Sequence, residues 1–233
     1  MITNLSADSS HQQEITNTLR NMNQYHKIQT VFKRDEKTKH IVEGDYSLPE
    51  FEYLKDNEWV FTEKVDGTNT RVMWNGSAVT FGGKSDDAQM PMHLLYKLQE
   101  LFEGTAKKQL FIEQFGAEPT EVCLYGEGYG FKIQSAGKLY IPDGHDFVLF
   151  DVKVGEWWLQ REDVEEIAAK FGIKVVPIIG TGTLGEAIEM TRNGFNSLWG
   201  DFKSEGIVAR PKTELKTRKG ERLITKIKHR DFK

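Results

Sequence analysis

What most constrains this chain is the arrangement of its apolar runs: many short segments of period two, interrupted by only three stretches of helical period. Strand character marks residues 27–32, 59–64, 70–74, 78–82, 121–127, 138–141, 147–154, 157–159, 174–179, 206–210 and 223–228. Asn75-Gly76 joins two of these runs and favours a tight hairpin. Helical spacing appears at 92–102 (Leu94, Leu95, Leu98, Leu101, Phe102), at 162–171 before Gly172, and at 184–192. Without regular βαβ alternation this pattern argues against a doubly wound sheet. It predicts an α+β fold of mainly antiparallel sheets flanked by helices.

Residues 1–24 are rich in Ser, Asn, Gln and Thr and read as a polar arm, with a short helix over 12–22. No Pro- or Gly-rich linker follows to mark a second domain, so 25–233 is expected to form one domain. No window holds 18 uncharged apolar residues, and the N-terminus lacks an apolar core, which predicts a cytoplasmic protein without a membrane partner. The single cysteine, Cys123, lies between Val122 and Leu124, so it forms no internal disulfide or cysteine zinc site and reads as a buried strand residue. The net charge of −4 divides unevenly: residues 210–233 carry ten Lys or Arg against Glu214, Glu221 and Asp231, leaving −11 for residues 1–209. A basic run on an acidic body is what a polyanion site looks like.

Three apparent motifs carry little. Gly180-Thr-Gly182-Thr-Leu-Gly185 has dinucleotide-binding spacing after a strand, but Asp201 precedes the next strand instead of ending it, and Thr183 with Glu186 reads as a capping box. Gly126-Glu-Gly128-Tyr-Gly130 lacks the Gly-Lys-Ser/Thr ending of a P-loop. The six histidines are dispersed, without a pair at metal-ligand spacing.

The chemistry gathers elsewhere. Glu63-Lys64-Val65-Asp66-Gly67-Thr68-Asn69 sets a lysine at the end of an apolar strand beside two carboxylates and a glycine. Alternation turns Lys64 and Asp66 to one side and Glu63 and Val65 to the other. A lone lysine there reads as an edge residue; an amine nucleophile needs burial or neighbouring cations. Glu127 sits between two glycines after an apolar strand, and Ser204-Glu205-Gly206 repeats acid plus glycine before Ile207-Val208. In Ile224-Thr-Lys226-Ile-Lys228 both lysines emerge on one face, where they are solvated or hold an anion between them.

Lys64-Val-Asp66-Gly67, Tyr125-Gly126-Glu127, Phe147-Val-Leu-Phe150-Asp151, Glu205-Gly206-Ile207-Val208 and Lys226-Ile-Lys228 resemble, in order and spacing, motifs I, III, IIIa, IV and V of the covalent nucleotidyltransferases. That superfamily contains polynucleotide ligases and mRNA capping enzymes. Thr68-Asn69 and Gly82-Gly83-Lys84-Ser85-Asp86 are similar to the RNA ligases grouped with the second RNA ligase of T-even phages and the kinetoplastid RNA-editing ligases. The chain departs from them at Lys84, where the family generally has arginine, whose bidentate fork a lysine lacks.

The resemblance implies a nucleotidyltransferase (ATP-grasp-like) fold and an ATP-dependent RNA ligase joining 5′-phosphate to 3′-hydroxyl RNA ends. It implies that Lys64 takes AMP from ATP as a lysyl phosphoramidate, that the AMP passes to an RNA 5′-phosphate, and that a 3′-hydroxyl displaces it. Lys226 and Lys228 would hold the α-phosphate and keep Lys64 reactive. Asp66, Glu127 and Glu205 would contact ribose or hold Mg²⁺ (or Mn²⁺). Phe150 would stack on adenine, Glu63 lie near its edge, Gly67 close the lysine motif, Asn69 lie near the phosphates or the nick, and Lys84 stand where the family's arginine serves phosphate or ribose; the last motif, ending at Lys228, would leave no separate C-terminal domain. A DNA ligase or a capping guanylyltransferase of the same superfamily, or an inactive nucleotide or RNA binder, are the alternatives.

Overall fold

The computed structural model describes residues 24–118 and 121–233. The polar arm and its expected helix therefore lie outside the described residues, Gln24 apart. The strands in chain order are β1 (Gln29–Thr30), β2 (Phe32–Arg34), β3 (Ile41–Tyr46), β4 (Trp59–Glu63), β5 (Thr68–Trp74), β6 (Val79–Gly82), β7 (Val122–Gly130), β8 (His145–Val154), β9 (Trp157–Trp158), β10 (Lys174–Val175), β11 (Ile178–Gly182), β12 (Gly206–Pro211) and β13 (Thr225–Lys228). The helices are α1 (Pro49–Tyr53), α2 (Met92–Phe102), α3 (Thr105–Phe115), α4 (Gly137–Tyr140), α5 (Arg161–Phe171) and α6 (Leu184–Asn193). The architecture is α+β with mainly antiparallel pairing, as the sequence predicts. Among the described residues no helix is long and apolar enough to cross a membrane.

Two compact units divide the chain. The first holds Thr68–Gly128 and His145–Lys174 with Tyr25; the second holds His26–Gly67, Tyr129–Gly144 and Val175–Lys233.

In the second unit a five-stranded sheet runs β1–β13–β12–β4–β11, with β1 parallel to β13 and the other pairs antiparallel. Its inward residues, Trp59 and Phe61 on β4, Ile207 and Ala209 on β12 and Ile227 on β13, pack with Phe51 of α1 and with Leu184, Ala187 and Ile188 of α6. Burying each large apolar side chain contributes roughly 1.5–3 kcal/mol. α6 begins where it does because the expected capping box forms: the Glu186 N–H donates to Thr183 Oγ1 (3.2 Å) and the Thr183 N–H to Glu186 Oε2 (2.7 Å). The glycine motif thus makes a helix start after β11, an antiparallel partner of β4.

In the first unit the sheet runs β10–β8–β7–β5–β6, with β9 paired to β8. Its core is aromatic: Trp74 stacks on Phe111 (5.1 Å), Phe111 meets Phe171 (4.5 Å), and Phe102 stands edge-on to Phe147 (5.5 Å). α2 buries Leu94, Leu98 and Phe102, and α5 buries Val164, Ile167, Ala168 and Phe171 before Gly172 ends it in the left-handed conformation. Cys123 is buried, and burial pushes its thiol up to about 12.

The departures from expectation are local. Of residues 138–141, the first three lie in helix α4 and Ile141 caps it, with no strand; four residues are too few for a period to decide, and the backbone of Gly137 presses so closely on the Gly130 carbonyl that a Cβ would lie 1.9 Å from it. The run 174–179 breaks into β10 and β11 around Pro177, which has no N–H to give a ladder. α3 went unpredicted because it buries only Phe111, and exposed β3 because it shows no alternation.

Candidate active site

The lysine motif follows β4, and two further strands of the same sheet, β12 and β13, bring its partners to it. β12 lies between β4 and β13, with Ile207 opposite Glu63 and Gly206 opposite Lys228. The Lys64 N–H donates to the Gly206 carbonyl (2.9 Å), which fixes the strand end against the start of β12. Glu205 immediately precedes β12, and its carboxylate joins the lysines: Lys64 Nζ is 2.7 Å from Oε2 and Lys228 Nζ 2.8 Å from Oε1. All three side chains are part-buried, at 14–19% exposure, so solvent screens these pairs only in part. Burial raises the Glu205 pKa, but Lys64 and Lys228 outweigh it and hold the carboxyl below its usual range.

The backbone that makes this cluster possible belongs to Gly206. Its φ is +154°, and a Cβ there would lie 2.0 Å from the Ile227 carbonyl oxygen. Only glycine lets β12 approach β13 closely enough for Glu205 to reach Lys228. The expected alternation on β13 holds: Thr225 and Ile227 are buried, while Lys226 and Lys228 face the opposite side half-buried.

The other motif residues of this unit divide by role. Asp66 is held by the segment at α4: its N–H donates to Tyr140 Oη (3.1 Å), and its Oδ2 accepts from the Ala136 N–H (3.4 Å). Gly67 closes the link from β4 to β5. Glu63 faces the interior at 1% exposure; Oε1 accepts from Ser197 Oγ (2.6 Å) and Oε2 from the Leu198 N–H (2.9 Å). Both of its oxygens are thus engaged in anchoring the loop at 197–199. Beneath α4, Tyr140 packs edge-on to Phe202 (4.8 Å), and Trp199 packs on Tyr129 (5.2 Å).

The lysines of β13 open into a cleft of about 680 Å³ that also takes in Lys27, Lys33, Arg34 and Arg230. The parallel pairing of β1 with β13, Thr30 opposite Lys226, brings the N-terminal cations there. The basic end itself is mixed in use. Arg222 is nearly buried in a bidentate pair with Glu214, and Lys212 pairs with Glu58, so part of that charge is structural.

The remaining predicted residues lie in the first unit. Asn69 on β5 stands opposite Glu127 on β7. Asn69 Oδ1 is buried and accepts no hydrogen bond among the described residues. Phe150 on β8 is half-buried, with Tyr25 edge-on to it at 5.1 Å; Tyr25 Oη donates to the buried Asp151 carboxylate at 2.5 Å. Lys84 is exposed in the loop after β6. Among the described residues no three acidic, histidine or cysteine side chains gather as a metal cage would require. Sequence reasoning missed Tyr25, Arg71, Tyr140 and Ser197. An arginine inside the apolar run 70–74 was the one visible signal.

Solved structures show what class of fold this is. It superposes on the Naegleria gruberi RNA ligase: a lysine-to-methionine variant with AMP and Mn matches with a TM-score of 0.59 at 20% identity over 79% of this chain and 53% of that one. A lysine-to-alanine variant with ATP and Mn matches with a TM-score of 0.60 at 19% identity, over 89% of this chain and 62% of that one. The chain thus spans little more than half the length of these proteins. No curated protein matches it by sequence. The family model for RNA ligase covers residues 57–228, and the chain belongs to that family.

Proposed function

We propose that the chain is a cytoplasmic ATP-dependent RNA ligase of the type grouped with the second RNA ligase of T-even phages, sealing 5′-phosphate to 3′-hydroxyl RNA ends. The observation that carries this reading is the Lys64–Glu205–Lys228 cluster, a nucleophile, an acid and a cation within hydrogen-bond reach on three adjacent strands. Family membership supports it.

The residues present suit the nucleotide and a divalent ion. Asn69 Oδ1 is a buried acceptor awaiting a donor, such as a hydroxyl or a metal-bound water. Asp66, Glu127 and Glu205 offer hard carboxylate oxygens, the donor type Mg²⁺ takes together with substrate phosphates and water. When bound, the ion neutralises charge on the phosphate oxygens.

In the first step Lys64 Nζ gives up a proton to water, since the two lysines that hold the Glu205 carboxyl below its usual range make it a weak base, and attacks the α-phosphorus of ATP. A P–N bond forms as the P–O bond to pyrophosphate breaks. Lys226 and Lys228 hold the α-phosphate, so the protein's contribution is alignment and charge neutralisation. Asp66 and Glu127 would contact ribose or help hold the ion, and Phe150 would stack on the adenine. Glu63 acts from beneath, holding the loop at 197–199. In the later steps an RNA 5′-phosphate oxygen takes the AMP from Lys64, and a 3′-hydroxyl then displaces AMP. The cations around the β13 cleft, with those of the basic end, guide RNA through counterion release.

The test is incubation with α-labelled ATP or GTP and magnesium, then with nicked RNA, nicked DNA, or RNA with di- or triphosphate ends. An alkali-stable AMP adduct in the wild type, absent from Lys64→Ala, followed by sealing of RNA is expected. No Lys64-dependent adduct would overturn the enzyme reading. A GMP adduct passed to diphosphate ends, or sealing confined to DNA, would replace it with a capping enzyme or a DNA ligase.

A further inference from the structure

The first unit contains a charged group that the reaction scheme above leaves without a task. Arg71, in the middle of β5, is fully buried at 0% exposure. Removing a guanidinium from water is costly unless it is paired and hydrogen-bonded, so its partners show what it is for. Nε donates to the Gly83 carbonyl (2.7 Å) and Nη2 to Asp86 Oδ1 (2.6 Å). These two partners flank Lys84 in sequence. The backbone is shaped around the same group: Gly82 stands directly opposite Arg71 across the β5–β6 ladder, and a Cβ on it would lie 2.9 Å from Arg71 Nη2. A Cβ on Gly83 would meet the Ala88 methyl at 2.9 Å, so the loop folds tightly back on itself. Ala88 N–H also donates to the Ser85 carbonyl (3.2 Å).

We propose that Arg71 is a positioning residue which, through Gly83 and Asp86, fixes Lys84 as a phosphate contact. The argument is one of entropy and geometry. A lysine on a free loop loses backbone and side-chain freedom when it grips an anion. A loop held on both sides of Lys84 by one planar, buried fork has lost the backbone part of that freedom during folding. The ammonium then remains exposed, on a fixed base, for a phosphate oxygen. The phosphate is that of ATP or that of the RNA 5′ end, and the step affected distinguishes them. This inference rests on the reading of Lys84 as a ligand contact in the proposed ligase.

The test is a cycle of four chains: wild type, Asp86→Asn, Lys84→Ala and the double variant. For each, the rate of AMP adduct formation, the rate at which purified adduct seals RNA, and the equilibrium dissociation constant for ATP are measured. Asp86→Asn should slow whichever step Lys84 serves by about tenfold, the equivalent of one charge-assisted hydrogen bond, and the double variant should be no slower than Lys84→Ala. Slowed adduct formation identifies the ATP phosphates; slowed sealing with normal adduct formation identifies the RNA phosphate. Arg71→Lys, which keeps the charge but loses the fork, should behave as Asp86→Asn does, with melting curves recorded for both. A merely structural role predicts effects that multiply in the double variant, and that result, or a wild-type rate in Asp86→Asn, overturns the proposal. So does a wild-type rate in Lys84→Ala, while the Lys64 adduct still forms and the ligase reading stands. If the wild type forms no adduct the ligase reading fails instead, and the same cycle of ATP dissociation constants decides whether Arg71 acts through Lys84.

Discussion

Replacing Glu205 by glutamine tests whether one carboxylate holds the lysine cluster together. The substitution keeps shape but leaves Lys64 and Lys228, 2.7 and 2.8 Å from the former oxygens, as neighbouring ammonium groups with no anion between them. Exposed pairs contribute about 0–1 kcal/mol and breaking a buried pair costs about 3–5. At 14–19% exposure these contacts lie between, so about 1–1.5 kcal/mol each gives a loss of ~2–3 kcal/mol. In a chain of this size that lowers Tm by roughly 4–12 °C. The pH dependence carries the sharper test. The folded-state pKa of Glu205 lies below its ordinary value of 4.5, because the two lysines outweigh burial. Its contribution is therefore present above about pH 4.5 and is lost as pH falls through the lowered folded value. Urea unfolding of both chains should show the full difference near pH 7 and a shrinking one toward about pH 3. Other carboxylates titrate alike in the two and drop out of the comparison. A difference that is absent at neutral pH, or that persists undiminished in acid, would refute the reasoning.

Three further outcomes are expected. Gly206→Ala drives a Cβ to 2.0 Å from the Ile227 carbonyl and should destabilise the chain by on the order of 3 kcal/mol, read as a shift in the urea midpoint; an unchanged midpoint would show that β12 and β13 can move apart. Ser197→Ala leaves the buried Glu63 carboxylate with one fewer donor and should cost about 1–3 kcal/mol, with faster proteolysis at the 197–199 loop. Cys123, buried and with its thiol pushed up to about 12, should resist alkylation at neutral pH until denaturant is added; rapid labelling of the native chain would contradict its placement.

The sheet strands were legible wherever burial imposes a period: Trp59 and Phe61 alternate on β4, Thr225 and Ile227 on β13, and the three amphipathic helices occur within a residue or two of their expected bounds. So was the sidedness that aims Lys64, Lys226 and Lys228, because strand alternation is a local property. What a sequence pattern cannot carry is pairing at long range. Nothing near Lys27 or Lys33 signals that β1 lies beside β13, and nothing near Glu63 signals that its carboxylate meets Ser197. The basic end shows the same limit from the other side: composition counts Arg222 with Lys228, although one is nearly buried against Glu214 and the other joins Lys64 at Glu205 and lines the cleft.

The pairing of β1 with β13 also bears on how the protein is made. Thr225 Oγ1 donates to the Gln29 carbonyl across 196 residues of chain, and β12 and β13 complete the sheet around β4. On the ribosome Lys64 therefore emerges long before Glu205 or Lys228 exists to meet it. Until translation passes residue 228, β12 has no complete β13 beside it and Glu205 lacks its second lysine, and such non-local closure is intrinsically slow. A nascent chain stopped before residue 228 thus carries Lys64 without the Lys228 ammonium that shares its carboxylate partner.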